Sequence, residues 1–318
     1  MIGFSTDPVL GPCFIIDSTS LEPITTCPYH GYLSVVKKKK PSYPATALIA
    51  GNILHEALSY RYKMMAYRSC KTSAIINFTN EGLPITLEEI QLRLLSKLYS
   101  RYSDIDMEWR NLALATELIK TYNEVYEDEN FTIAKHNSRP FVELPFSVIC
   151  ERIDGILVIY IGKIDLAYFD HKNHLYILDH KTSSRLGETF WDEASVFEQT
   201  RGYCWAATKC GLPQPTGYTV NALGWKAPTK TGTAINLERR TYYLEEDSLS
   251  RWYQNMLLQC ETFIWHHKRG KYPTHQKLHC IHKYGRCEFY NLCKQHPASH
   301  DDALSSNYYI DNTWNPLK

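Results

Sequence analysis

Three strand-forming segments in a row, Phe141–Cys150, Ile156–Phe169 and His174–Lys181, are joined by turns too short to hold anything else. Such spacing leaves a meander of neighbouring antiparallel strands as the way to pair them. The first junction is Asp154-Gly155, a pair that tolerates the left-handed backbone of a tight hairpin. The second is the polar run Asp170–Asn173. Pro145 has no N–H to give a ladder, which assigns the first segment to an edge or a bulge. Everything else in the chain must pack around that sheet.

Upstream, the stretch from Ala45 to about Met65 carries Ile49, Ile53, Leu54 and Leu58 on one helical face. Further helices are predicted near Thr86–Tyr102 and Glu108–Tyr126, the first starting at Thr86 ahead of Glu88 and Glu89. Downstream, the pattern gives a helix near Glu193–Lys209, a strand at Thr216–Leu223, a short strand at Thr241–Leu244 and a long helix over Glu246–His267. The opening to about Pro44 is rich in turn formers, and the segment up to about His296 is irregular and rich in Cys and His. With no repeat and no linker, the reading is a single α/β domain over 1–318. It has a helical elaboration at 45–130, a core at 140–225 and a Cys-rich C-terminal segment.

The composition, 44% apolar and 22% charged over 318 residues, is that of an ordinary globular protein. With 35 basic against 34 acidic residues the net charge is +1, which excludes a strongly basic nucleic-acid coat. A DNA enzyme with its basic residues gathered on one face stays open. The N-terminus shows no basic stretch followed by an apolar core, and no run of about 18 apolar residues occurs. The expectation is an intracellular protein with no membrane span. In a reducing compartment the ten cysteines would be core residues or a metal site, not a disulfide framework.

Within the meander, Asp165 lies in the second strand and Asp179-His180-Lys181 closes the third. A tight turn joins those strands, so the two carboxylates can approach each other. Paired oxygen ligands suit Mg²⁺ or Mn²⁺. Asp179 and Lys181, two apart, project to one face of their strand, where the lysine can polarise a water or stabilise charge on a phosphate. The bland alternative is a solvated ion pair between Asp179 and Lys181. Asp154 competes with Asp165, but its place in a turn marks it as structural.

On these residues the chain resembles the PD-(D/E)XK nuclease superfamily. It is most similar to the branch holding the RecB and AddB nuclease domains and the CRISPR-associated iron–sulfur exonucleases. Four further segments fit in order: Thr26-Cys27-Pro28-Tyr29, Gly51-Asn52-Ile53-Leu54-His55-Glu56, Gln199-Thr200-Arg201-Gly202-Tyr203, and the triplet Cys280, Cys287, Cys293. The resemblance implies a restriction-endonuclease-like core, a mixed sheet flanked by helices. It implies His55, Asp165 and Asp179 as metal ligands, with the His180 carbonyl as a backbone ligand. Lys181 would activate water, Gln199 and Tyr203 would position the lysine or the DNA, and Glu143 would take a supporting role. Without the resemblance, His55 reads as an ordinary helix histidine, and Gln199 and Tyr203 as neighbours four apart.

The spacing Cys280-x6-Cys287-x5-Cys293 is too wide for a Cys-x2-Cys zinc ribbon. By the resemblance, Cys27 supplies a fourth thiolate for a [4Fe–4S] cluster stapling the first and last segments. Cys287 is followed by Glu288 where the family often has proline. Zinc is the alternative, with His275, His279, His282 and His296 nearby, and so are unligated thiols. Cys13, Cys70, Cys150, Cys204, Cys210 and Cys260 have no ligand spacing and read as packed residues.

Lys37–Lys40 reads as a solvated loop or a phosphate contact. Trp191 or Tyr203 could stack on single-stranded bases. The function expected is a metal-dependent DNA exonuclease, acting on ends or single strands in recombination, repair or processing, with a helicase or recombination protein as a partner. The alternatives are a non-catalytic iron–sulfur DNA-binding subunit and a structure-specific endonuclease.

Overall fold

The structure, a computed structural model, describes residues 2–43, 45–68, 75–78, 84–229, 235–274, 279–282, 285–313, 315 and 317. The principal elements begin with strands β1 (Gly3–Asp7) and β2 (Gly11–Ile16) and helices α1 (Ser18–Thr26), α2 (Pro28–Gly31), α3 (Thr46–Arg68), α4 (Leu87–Ser100) and α5 (Leu112–Val125). Strands β3 (Val142–Ile153), β4 (Ile156–Phe169) and β5 (Leu175–Ser183) follow, then α6 (Glu188–Ser195), α7 (Glu198–Lys209), β6 (Gly217–Trp225), β7 (Ile235–Tyr243) and α8 (Ser248–Arg269). The chain forms two compact units. The first comprises Met1–Pro44, Pro145–Lys163 and Asp247–Lys318; the second comprises Ala45–Leu144 and Ile164–Glu246.

The meander is present: β3 pairs with β4, and β4 runs antiparallel to β5 from Leu166↔Leu178 to Phe169↔Leu175. Its first turn uses the expected residues, with Asp154 at φ 50° and Gly155 at φ 82°. Among the described residues β3 has β4 as its one partner, the edge position that Pro145 requires.

In the second unit the sheet is mixed. Strand β5 lies parallel to β6 from Tyr176↔Gly217 to Ser183↔Gly224, and β6 lies antiparallel to β7. All nine residues of β6 are buried, as in a strand covered on both faces. The two-residue period of β5 sorts its side chains. Tyr176 and Leu178 join Leu166 and Tyr168 in one apolar cluster with Ile53, Leu54 and Leu58 of α3 and Leu118 and Tyr122 of α5. Lys181 instead meets Gln199 of α7. Helix α4 starts as expected, the Glu89 N–H donating to the Thr86 hydroxyl at 3.1 Å.

The first unit departs most from the local sequence pattern. The opening stretch, read as turns, forms β1, β2, α1 and α2. Strand β1 is antiparallel to β2, and β2 is parallel to the start of β4 from Leu157↔Cys13 to Tyr160↔Ile16. The partner of β2 is therefore remote in sequence, and strands of five and six residues carry too little alternation to announce themselves. Phe14 stacks on Phe4 at 4.4 Å and meets Phe263 of α8 at 5.7 Å. Helix α8 ends at Gly270, which takes the left-handed conformation at φ 59°.

Two smaller differences lie in the second unit. The predicted helix at 193–209 is two helices, broken at Val196 and Phe197. Strand β7 covers nine residues where four were read, because its charged residues, Glu238, Arg239 and Arg240, hide the apolar alternation. Among the described residues, no helix is long and apolar enough to cross a membrane.

Candidate active site

The Gly-Asn-Ile-Leu-His segment sits on α3, with Gly51 and His55 one turn apart on the same side. A Cβ on Gly51 would lie 3.0 Å from the Thr182 hydroxyl oxygen, so glycine lets the helix come close to the end of β5. His55 then reaches the carboxylates of the sheet. Its Nδ1 is 3.4 Å from Asp165 Oδ2 and 4.0 Å from Glu143 Oε1. One ligand atom from each of His55, Glu143 and Asp165 lies within 4.8 Å of the other two. Asp165 is buried, and its Oδ2 accepts the His180 N–H at 2.9 Å, just beyond the Leu166↔Leu178 rung. Glu143 has φ 50°, a backbone conformation that non-glycine residues seldom adopt and that recurs at functional positions. An imidazole and two carboxylates converging this closely fit one small divalent cation.

Beside this trio stands Lys181. Its ammonium is 2.6 Å from Asp179 Oδ2 and donates to Gln199 Oε1 at 2.7 Å. Gln199 Nε2 donates in turn to the Tyr203 hydroxyl at 2.8 Å, one turn along α7. Asp179 is 1% exposed, so this pair is not the solvated surface bridge that the sequence left open. Asp179 is bound to Lys181 and lies outside the trio, whereas Glu143, weighed only for support, lies inside it. Nothing local in the sequence marks Glu143; its place comes from the folding of β3 against α3.

Behind the site lies a buried polar network that no local pattern announces. His180 Nδ1 lies 2.6 Å from Asn221 Nδ2, and Arg239 Nε donates to Asn221 Oδ1 at 2.7 Å. Arg239 also donates to Tyr62 and Tyr122 at 2.9 and 2.6 Å and pairs with Glu129 at 2.6 Å. Arg61 holds the other Glu129 oxygen at 3.1 Å. Burial, then the positive charges of His55, Arg239 and Lys181, hold the His180 imidazole well below the ordinary histidine value. Its neutral ring stacks on Tyr62, fixing the strand between Asp179 and Lys181.

The cysteines of interest lie in the first unit. Cys27 is the break between α1 and α2, with Pro28 opening the second helix. The Cys287 N–H donates to the Cys280 carbonyl at 3.0 Å. Burial, then Cys287, Cys27 and Cys280, raise the Cys293 thiol to about 11, so the four thiols are neighbours. Among the described residues, no three of these sulfurs fall within 4.8 Å of one another, and neither His279 nor His296 joins such a group. Burial opposes ionisation of Cys287, but hydrogen bonds from His30 and the Phe289 N–H outweigh it and lower its pKa. Cys70 and His275 lie outside the described residues. Cys13, Cys204 and Cys260 are buried and Cys150 and Cys210 half-buried, consistent with packing roles.

Trp191 and Tyr203 are 3% and 7% exposed, which removes them as stacking platforms for bases. Lys39 pairs with Asp311 at 2.8 Å, and Asp154, in its turn, with Lys268 at 3.3 Å.

The family model of the PD-(D/E)XK nuclease superfamily matches residues 18–294. The chain belongs to that superfamily, and is therefore a metal-dependent nuclease of a class that uses Mg²⁺ or Mn²⁺. Its mixed sheet with flanking helices is the restriction-endonuclease-like fold of the class. No curated protein sequence matches it. Among solved structures, the "Putative exonuclease" of Eubacterium rectale is similar over 92% of this chain and 93% of its own, at 9% identity and a TM-score of 0.40. The crystal structure of SSO0001 is similar over 77% and 75%, at 11% identity and a TM-score of 0.30. Likeness at that level carries no functional argument.

Proposed function

We propose that this protein is a DNA exonuclease of the RecB/AddB-like iron–sulfur branch, its two units acting as one nuclease domain. It cleaves at ends or in single strands during recombination, repair or DNA processing, with a helicase or recombination protein delivering the substrate. The observation that carries the reading is Lys181, held by Asp179 and Gln199 beside the His55–Glu143–Asp165 trio. Those three side chains would hold the cation, with Asp179 and the His180 carbonyl completing its shell. A divalent ion supplies charge neutralisation at the phosphate and a more acidic water. Lys181, fixed on two sides, donates to the phosphate oxygen on which charge builds as water attacks phosphorus. The phosphorus–O3′ bond breaks, and the products are a 5′-phosphate and a 3′-hydroxyl. Gln199 and Tyr203 keep the lysine from swinging away.

The four neighbouring thiols, Cys27, Cys280, Cys287 and Cys293, are those that would hold the [4Fe–4S] cluster of that branch, with zinc as the alternative.

The test is digestion of end-labelled linear and of circular single-stranded DNA, with Mg²⁺ or Mn²⁺ and with chelator. Metal-dependent loss of linear DNA alone, abolished by Lys181→Ala in a folded protein, is the expected result. Cleavage of circles would make the enzyme an endonuclease. Full activity of Lys181→Ala would overturn the site, and inertness on every substrate would leave a DNA-binding subunit.

A further inference from the structure

One groove in the second unit is not used by the metal site. It encloses about 800 Å³ and is walled by Trp109, Arg110, Arg185, Leu186, Trp225 and Lys226. Among the described residues, three cations and no carboxylate line it. The one acid among the described residues that pairs with a lining cation is Glu108, 3.6 Å from Arg110 and itself 61% exposed. Among the described residues, Arg185 and Lys226 make no ion pair. Trp225 is buried, and Trp109 leans edge-on against it at 5.7 Å, with the Arg110 guanidinium 4.1 Å over the Trp109 ring. The groove thus offers a flat, cationic, anchored surface flanked by two exposed cations.

Its position follows from the ladder. Lys181 pairs with Ala222 and Ser183 with Gly224, which is part of the groove wall. Two residues of strand place the groove on the order of 7 Å beyond the lysine. This is the carboxyl end of the parallel strands β5 and β6, where open α/β sheets receive ligands. A Cβ on Gly224 would lie 2.8 Å from Leu186 Cδ1, so Leu186 seats directly on the strand and holds Arg185 at the rim.

We propose that this groove binds a single-stranded stretch of DNA running from the scissile phosphate. Arg185 and Lys226 take its phosphates, and the Trp109–Arg110 stack takes a base. The inference rests on the nuclease reading for its ligand, yet its test is independent of cleavage. A labelled oligo-dT is titrated into the full chain in chelator at several salt concentrations. Tight binding of oligo-dT over a blunt duplex is expected. Arg185→Ala with Lys226→Ala, both exposed, should weaken binding about ten-fold and reduce the salt slope by about 1.4, the share of two single-strand phosphates. Replacing bases by abasic residues should weaken wild-type binding by a further ten-fold or so, the loss of one stacked base.

Unchanged affinity and slope in the double variant, equal affinity for duplex, or indifference to abasic residues would each overturn the groove. A wild type that cleaves while the double variant binds and cleaves equally well sinks the groove alone. A wild type that binds through the groove but never cleaves sinks the nuclease reading alone.

Discussion

The two units assemble their donor groups in opposite ways. In the second, His55, Glu143 and Asp165 arrive on α3, β3 and β4 and converge within 4.8 Å. Their positions are set by the apolar cluster between α3, α5 and the sheet, and by the Arg239 network behind His180. In the first, the four thiols come from a helix break and an irregular segment, where Cys287 packs against the small cluster of Leu33, Phe289, Leu292 and Leu304. Packing preforms the first site. At the thiols, backbone bonds such as Cys287 N–H to the Cys280 carbonyl and the His30 contact order the segment, and a group bound to all four would add folding energy.

Reciprocal substitutions separate the two sites. Asp165→Asn keeps an acceptor for the His180 N–H but loses the charge. It should lower the cleavage rate by about 10²–10³-fold and weaken Mn²⁺ binding, read by electron paramagnetic resonance, with iron content unchanged. Cys27→Ser should do the reverse, removing iron and the brown colour and lowering the unfolding temperature while Mn²⁺ still binds. If either substitution moves both readouts, the two sites are not independent. If anaerobically purified wild type holds zinc and no iron, the cluster is wrong.

The preformed character of the second unit is tested by Arg239→Met, which leaves Glu129 buried with Arg61 as its one remaining cation and the Tyr62 hydroxyl. Breaking such a buried pair costs about 3–5 kcal/mol, to be read by denaturant unfolding. A loss under 1 kcal/mol would mean that the network does not brace the site. A pH titration of unfolding in chelator sharpens the same point. His180 is held neutral well below its ordinary value of 6.5. The unfolded chain therefore takes up the proton first as pH falls below 6.5, and stability is lost in that direction, by up to about 1.4 kcal/mol per pH unit. His180→Asn should flatten that dependence. The smallest effect is expected from Gly51→Ala. Alanine favours the helix by up to about 1 kcal/mol, but its Cβ presses on Thr182 and should reduce cleavage a few-fold with stability held.

Much of the site was legible because it follows short-range rules. The turn at Asp154-Gly155 and the two-residue period linking Asp179 to Lys181 are local consequences of residue type, whereas Gln199 and Tyr203 stood out by the family resemblance. Glu143 and Arg239 were not legible in this sense. Nothing near either residue shows that one would enter the trio and the other would hold Asn221 beside His180. Strands β1 and β2 were hidden for the same reason, since their pairing depends on a segment far along the chain.

The meander, the long helices around it and the set Asp165, Asp179 and Lys181 could be read from the chain, because periodicity and turn chemistry reside in neighbouring residues; the family resemblance added His55. Which of them meet is settled by the fold. It placed Glu143 with His55 and Asp165, gave Asp179 to Lys181, buried Trp191 and opened the Trp109 groove, because those outcomes depend on distances between segments that no local pattern encodes.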